Sequence, residues 1–545
     1  MNPPYIDYKI SSFSIYFQTF VLFIFYSLYS SELYSRNITI QSDSCDTSSI
    51  TNCQISDSLS FICDSTKFHL DSIQNHIAEL ADSSVFTLNR KKNTLMTIGQ
   101  GIFINTLVWS VDKYFLKRPY SSKGWSTLKD NLKKGFVWDC DALSTNFFDH
   151  PYHGAQYFSS ARFNGFNYIH SSLFTILGSL EWEEIAETDY PAPNDLFSTV
   201  FGGSAFGEIM YRMSNIVLNN KKRGFGRFGR EILATLINPT YGVNRLIYGE
   251  SWKVDEEHYL YHDKHEIPYD IRLSIGSRWE KSKYSDTRCN LSSHISIDYG
   301  NWTDLRHNKP FDQFIANLAI NPPAYHIPFF SEVNINARLH GWYIGNKNNH
   351  KSVFSINQDF SYFNNEKEER FKGAKEHLLH LAEPSSLGPA YYYESPHIKH
   401  LTSVNMSFIG AYTSDYYYRD YNMGSGLNIK TYNHFKVNKI IDIIFDAGFH
   451  YMFTWKGYEK DQIKKFVYKG LNEPYTFSLN QSRKAGDQGY VSFFILKPRI
   501  DFLLFDNFYL TAKAQWVFRN SIYTYHDNVK SNYKELFLSL TYRIH

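Results

Sequence analysis

Between Ser331 and Ile344, apolar Val333, Ile335, Ala337, Leu339 and Tyr343 alternate with Asn334, Asn336, Arg338, His340 and Trp342. A period of two puts one set on each face of an extended strand, so the segment has a dry side and a mostly polar side. The pattern returns in Phe508, Leu510, Ala512, Ala514, Trp516 and Phe518, set against Tyr509, Thr511, Lys513, Gln515 and Arg519. It returns again in Phe445, Ala447, Phe449, Tyr451, Phe453 and Trp455, and in the closing Leu536, Leu538, Leu540, Tyr542 and Ile544. Sandwich strands average about five or six residues. These runs last ten to fourteen, near what a tilted strand needs to cross a bilayer, and rings recur toward their ends as an interfacial girdle requires.

The spacing predicts strands near 269–279, 290–300, 311–320, 331–344, 352–363, 401–413, 423–433, 442–456, 489–505, 508–520 and 532–545. Bacterial single-chain barrels use even strand numbers. One strand is therefore missed or split, and twelve is the central expectation, with ten the next. Asp506-Asn507 reads as a periplasmic turn and Lys456 to Gly489 as a long outer loop, whereas the polar segment Asn364 to His400 conflicts with the up-and-down parity.

Composition agrees with a membrane barrel. Phe, Tyr and Trp make up 18% of 545 residues and mean hydropathy is −0.40, which excludes both a disordered chain and a bundle of apolar helices. With 56 Lys+Arg against 54 Asp+Glu, no global field recruits nucleic acid. At the other end, Lys9 precedes a short apolar run through Phe20 to Tyr26, so residues 1–31 read as a signal peptide with a poor cleavage site. Residues 32–90 read as a Ser/Asp-rich leader. Cys45, Cys53 and Cys63 within it lack CxxC spacing, which disfavours zinc and leaves one disulfide and an odd thiol open.

Between these parts lies a block of different period, assigned as a mixed helical domain over 91–257, with the barrel over 258–545. Ser171, Thr175, Ser179 and Glu183 fall on one helical stripe, Pro191-Ala192-Pro193 ends that unit, and Asn194 or Asp195 is placed to cap the next helix. Gly202, Gly203, Ala205 and Gly207 offer a smooth face for close helix contact. Glu208 and Arg212 form an i, i+4 pair. A further helix carries Arg230-Glu231, and Pro239 ends it. Such half-polar helices cannot span a bilayer alone, so the fold expected is mainly β: an antiparallel transmembrane β-barrel with a preceding helical domain packed beneath or inside it.

The runs Asp149-His150-Pro151-Tyr152-His153-Gly154, Ala161-Arg162-Phe163-Asn164-Gly165-Phe166, Gly178-Ser179-Leu180-Glu181-Trp182-Glu183, Asn194-Asp195-Leu196, Phe201-Gly202-Gly203 through Gly207-Glu208, and Asn238-Pro239-Thr240-Tyr241-Gly242-Val243-Asn244-Arg245-Leu246 occur in fixed order. Over about residues 145–253 the chain resembles the uncharacterised bacterial envelope family called domain of unknown function thirty-nine forty-three. The resemblance implies a Gram-negative outer-membrane setting and supplies no activity or catalytic residues.

For chemistry, His150 and His153 are candidate metal ligands, with Glu183, Asp195 or Glu208 completing a two-His-one-carboxylate set, and Arg212 is a candidate alongside them. A cation there would acidify bound water for hydrolysis. Pro151 argues against helical geometry for the His pair. The competing structural roles are hydrogen bonds from a buried loop for the histidines, ion pairs with Arg162, Arg212 or Arg230 for Glu183 and Glu208, and a packing seam for the Ser171, Thr175, Ser179 stripe. Three functions follow: an outer-membrane barrel serving passage, assembly or envelope structure; a membrane-embedded metal-dependent hydrolase of lipid or cell-wall material; and a partner-binding envelope module. No cofactor is expected. The expected partners are outer-membrane lipid and the barrel assembly machinery, with an N-terminal region in the periplasm.

Overall fold

The computed structural model describes residues 91–115, 137–138, 141, 143–186, 191–254, 267–282, 287–322, 329–347, 350–365, 379–416, 421–460 and 484–545. The signal peptide, the leader and Cys45, Cys53, Cys63 and Cys140 lie outside them; Cys289 is an exposed free thiol.

Twelve antiparallel strands close into one barrel. They are β1 Tyr269–Ser282, β2 Arg288–Tyr299, β3 Phe314–Ile320, β4 Phe330–Lys347, β5 His350–Asn364, β6 His380–Glu394, β7 Ile398–Thr413, β8 Tyr421–Lys436, β9 Ile441–Thr454, β10 Gly489–Phe505, β11 Phe508–Tyr523 and β12 Val529–Ile544. Closure comes from β1 against β12, in a register from Ile271↔Ile544 to Ser282↔Tyr533, so no edge is left unpaired. The expected count of twelve is met, and β6 is the strand that the alternation pattern does not reveal. Pro384, Gly388 and Pro389 interrupt it, Ser385 and Ser386 are both buried, and its pairing with β5 slips between Asp359 and Ser361. Proline and a broken period are the features that demote a strand in a sequence. With β6 in place the parity conflict over Asn364 to His400 disappears.

The connections sort by end. Strands β4 and β5, β7 and β6, β8 and β9, and β10 and β11 are joined across 348–349, 395–397, 437–440 and 506–507, at the end where β1 starts and β12 finishes. Asp506 takes φ 42°, the left-handed geometry that a two-residue hairpin turn needs. The opposite end carries 321–329, 365–379, 414–420 and 455–488. These are called the turn end and the loop end.

The helices are α1 Thr94–Ser110, α2 His150–Phe163, α3 Tyr168–Glu181, α4 Pro193–Phe197, α5 Gly203–Val217, α6 Gly224–Ile237 and α7 Pro239–Ile247. Stretches of π-helix extend α1 (Val111–Phe115) and α3 (Trp182–Ala186), lead into α2 (Thr145–Asp149) and join α4 to α5 (Ser198–Gly202). Pro151 does not break the chain into a turn as the sequence suggests. It stands in the first turn of α2, where a missing N–H is tolerated, directly after a π-helical turn. Neither Asn194 nor Asp195 caps: Ala192 is the N-cap of α4, without a side-chain bond.

Parity shows where these helices sit. Asp359 and Ser361 of β5 point into the lumen, since both meet Lys430 of β8. Gln358, Phe360 and Tyr362 therefore point outward. Those outward groups are what the helices cover. Phe206 of α5 packs on Phe360 at 4.8 Å, Phe148 stacks on Phe330 at 4.2 Å, and Gln358 donates to the Phe201 carbonyl at 2.9 Å. At the turn end, Tyr168 stacks on Phe311 at 5.2 Å and the Arg212 guanidinium lies 5.6 Å from the Tyr299 ring. At the loop end, Asn146 donates to the Tyr421 hydroxyl at 2.6 Å. The helical domain thus lies along the outer wall of the barrel over its height, neither beneath it nor inside it.

At Gly154 and Gly203, helices α2 and α5 meet without a side chain between them. A Cβ on Gly203 would fall 2.7 Å from the Gly154 backbone, and one on Gly154 would run into the Thr199 carbonyl. Gly154→Leu should destabilise the helical domain by about 1–3 kcal/mol or more through overpacking. Limited proteolysis of the folded protein reads this as faster cleavage within 143–247 while the barrel band on a gel keeps its heat-modifiable mobility; unchanged cleavage would show that the crossing tolerates bulk.

Candidate functional site

The first site is at the loop end of the helical domain, where α2 begins. His150 Nε2 stands 3.8 Å from Asp195 Oδ1 of α4, and its Nδ1 stands 3.4 Å from the Thr199 hydroxyl. Glu183 enters from the π-helical turn after α3, with its Oε2 accepting from the Ala192 amide at 3.2 Å. One ligand atom from each of His150, Glu183 and Asp195 lies within 4.8 Å of the other two, and both carboxylates are buried. Separations of that order surround a single cation bonded to each at roughly 2–2.6 Å after small rotations of the side chains. The arrangement can hold a divalent cation with one nitrogen and two oxygen ligands.

His153 is not part of this set. One turn along α2, its Nε2 lies 2.9 Å from the Tyr157 hydroxyl and its ring meets the Trp182 edge at 4.9 Å. Glu208 is elsewhere too. It takes a bidentate bond from Arg162 at 2.7 and 3.0 Å and a third from Arg212 at 3.0 Å. Arg212 goes on to Asp312, in the loop between β2 and β3, at 3.0 Å and to the Pro310 carbonyl at 3.0 Å. Arg230 instead donates to the Val217 carbonyl at 2.7 Å. Ser171, Thr175 and Ser179 are fully buried along α3. Sequence reasoning missed Thr199, which carried no motif, and missed Asp312, whose partner is 100 residues away.

The lumen is the second site, and it is filled by its own side chains. Lys430 of β8 reaches Asp359 of β5 at 2.6 Å, Lys497 of β10 reaches Glu332 of β4 at 2.5 Å, and Arg499 of β10 reaches Ser296 of β2 at 3.2 Å. Asn336 of β4 bonds Ser403 of β7 at 3.0 Å, and His450 of β9 meets Glu383 of β6 at 2.7 Å. Toward the loop end an apolar cluster includes Phe363, Leu381, Tyr412, Met452, Phe493 and Tyr533. Toward the turn end, Trp302 stacks on Tyr392 at 5.4 Å beside Val353 and Leu401, and Arg338 binds the Trp302 and His307 carbonyls, both at 2.7 Å. A charged cavity of about 130 Å³ remains between these layers. Arg338, Lys513 and Arg519 belong to the lumen as the alternation implies. His340 does not: a β-bulge between Arg338 and His340 breaks the period and His340 is exposed.

A closed twelve-strand barrel of outer-membrane type, with a helical domain on its wall, is thus the class the fold defines. The family model for a domain of unknown function, DUF3943, matches residues 135–240, which are the helices from α2 to the end of α6 with the segment before them. No curated protein matches the chain. Among solved structures the barrel is similar to the NanC porin at 7% identity, over 49% of this chain and 98% of that one, with a TM-score of 0.23. It is similar to OprD of Pseudomonas aeruginosa at 7% identity, over 51% and 95%, TM-score 0.24. A third is the outer membrane channel DcaP of Acinetobacter baumannii, at 10% identity, over 51% and 97%, TM-score 0.20. At such identities the likeness concerns fold alone.

Glu208 bridges two buried guanidiniums, so Glu208→Ala should cost about 3–5 kcal/mol, chiefly by taking this carboxylate from Arg162 while Arg212 keeps Asp312. Urea unfolding in detergent followed by tryptophan fluorescence tests this; a shift as small as that of an exposed Lys222→Gln control would show that water or rearrangement takes over the role.

Proposed function

We propose that the protein resides in the bacterial outer membrane as an envelope structure in which a filled barrel carries and orients the helical domain, and that the barrel is not an open passage. Outer-membrane lipid and, during biogenesis, the barrel assembly machinery are its partners in this reading. The observation that supports it most is the bonding across the lumen. Lys497–Glu332 joins β10 to β4 on opposite sides of the ring and Lys430–Asp359 joins β8 to β5 three strands apart, and breaking such buried pairs to let a solute through would leave charges uncompensated. The outward faces of β1 and β8 to β12 support the location, since Leu273, Ile429, Phe449, Phe494, Leu510 and Leu538 stand exposed there as a lipid-facing band.

The test is conductance in a planar bilayer, using protein that fractionates with outer membranes and shows heat-modifiable mobility. No steady current steps are expected. Stable ohmic steps would overturn the filled-barrel reading, and recovery of the protein in the soluble fraction would overturn the location.

The convergence of His150, Glu183 and Asp195 favours a second reading, a membrane-embedded metal-dependent hydrolase. A divalent cation on these three groups would keep coordination positions open for water and lower its pKa. Zinc or calcium titration of the purified protein should then show one site that His150→Ala removes and His153→Ala retains. Equal binding by the His150→Ala variant, or none by the native protein, would remove this reading.

A further inference from the structure

Helix α1 is turned inside out for a helix in water. Thr97 and Asn105 are 3% exposed, and Gln100 bonds Ser160 and Asn164 of the α2 region and Asn244 of α7. Asn105 donates to the Gly178 carbonyl of α3 at 3.2 Å and pairs with the Tyr157 hydroxyl of α2. The outer side shows Leu95, Ile98, Ile102 and Phe103, between 43% and 84% exposed, and toward the C-terminal end Leu107 and Phe115 also stand exposed. A helix bordering water buries its apolar stripe and exposes its polar one. This helix does the reverse, and only an apolar medium on its outer side makes that arrangement favourable.

Its length fits the same medium. Thr94–Phe115 is 22 continuous residues, apolar enough to cross a membrane, with 11% of its most apolar stretch buried. From Thr94 to Asp112 is about 27 Å of helix, close to the roughly 30 Å of a bilayer's hydrocarbon core. The charges stand at its ends. Lys91 and Lys92 precede it, Asp112 and Lys113 close it with the Lys113 ammonium 4.4 Å from the Trp109 ring, and no Asp, Glu, Lys or Arg lies between Thr94 and Ser110.

Its position fits as well. The domain beneath α1 covers the outward faces of β4 and β5, including Val333, Ile335, Phe360 and Tyr362, each no more than 5% exposed. The same parity on β11 and β12 leaves Leu510, Phe518, Leu536 and Leu538 bare. A body lying on one sector of a lipid-facing wall is at the depth of the lipid. Its ion pairs are where that depth requires them, since Arg162, Glu208 and Arg212 are enclosed between helices and wall.

We infer that the helical domain is seated in the bilayer beside the barrel, with α1 as its lipid-facing layer, so that the hydrocarbon band of the barrel continues across α1. The basic end of α6 agrees with this: Lys221, Lys222 and Arg223 are exposed next to exposed Phe225 and Phe228, the pairing of a helix end held at a headgroup surface. The inference rests on the outer-membrane placement proposed above.

The experiment uses the native full chain in vesicles of phosphatidylethanolamine and phosphatidylglycerol, photolabelled with a carbene reagent that partitions into the acyl phase and mapped by peptide mass spectrometry. Label is expected on peptides covering residues 95–115 at a density within about twofold of that on the bare wall, residues 508–518 and 536–542. Label on the wall with none on 95–115 would overturn the inference and leave the barrel placement standing; a dimeric mass in native spectrometry would then identify a second copy as the cover. Label on neither would overturn the outer-membrane placement itself, and the inference with it.

Discussion

Because twelve strands close on themselves, no strand edge is left open, and the chain's remaining polarity goes to the lumen or to the ends. The period of two enforces this residue by residue. Along β12, Glu535, Ser539 and Arg543 turn inward while Leu536, Leu538 and Leu540 turn outward. A narrow ring of charged walls then has to solve its own electrostatics. It does so largely by cross-lumen pairing, as where Lys430, Lys497 and Arg499 find a carboxylate or hydroxyl on a non-neighbouring strand. The filled lumen and the apolar exterior are two results of one geometric rule.

The helical domain meets the same demand by other means. On the sector it covers, the outward groups of the wall are packed against helices instead of standing bare, so the helices inherit the need to be apolar outside and satisfied inside. Small residues allow this. Gly154 and Gly203 bring α2 and α5 together at backbone contact, which leaves room for Arg162, Glu208, Arg212 and Asp312 to form one enclosed chain from helix to barrel loop. That chain ties the orientation of the domain to the loop between β2 and β3, and so to the register of the barrel.

Much of this was legible in the sequence because it depends on local period. Eleven strand positions, the Asp506-Asn507 turn and the helix breaks at Pro191 and Pro239 follow from neighbours within a few residues. Strand β6 was not legible, because Pro384 and Pro389 remove the alternation that defines a strand while neighbouring strands still hold it in place. The side of the wall on which the helices lie was not legible either, since Phe360 facing lipid and Phe360 facing Phe206 are the same residue in the same parity. Among the candidate ligands, closeness in sequence suggested His150 with His153, with Glu183, Asp195 or Glu208 to complete the set. The fold instead brings Asp195 and Glu183 to His150 from two other segments, a convergence that no single stretch of chain encodes.

The two halves of the molecule also differ in what they can change. Lumen pairs such as Lys430–Asp359 are locked between strands that cannot move without opening a closed ladder, so the barrel is suited to hold a geometry and poorly suited to switch one. The His150 cluster is built from helix ends and π-helical turns, where backbone bonds are already shifted from the regular pattern and small rotations cost less. Chemistry or binding that needs adjustment therefore belongs at the loop end of the helical domain, with the barrel supplying the fixed frame against which those ends are placed.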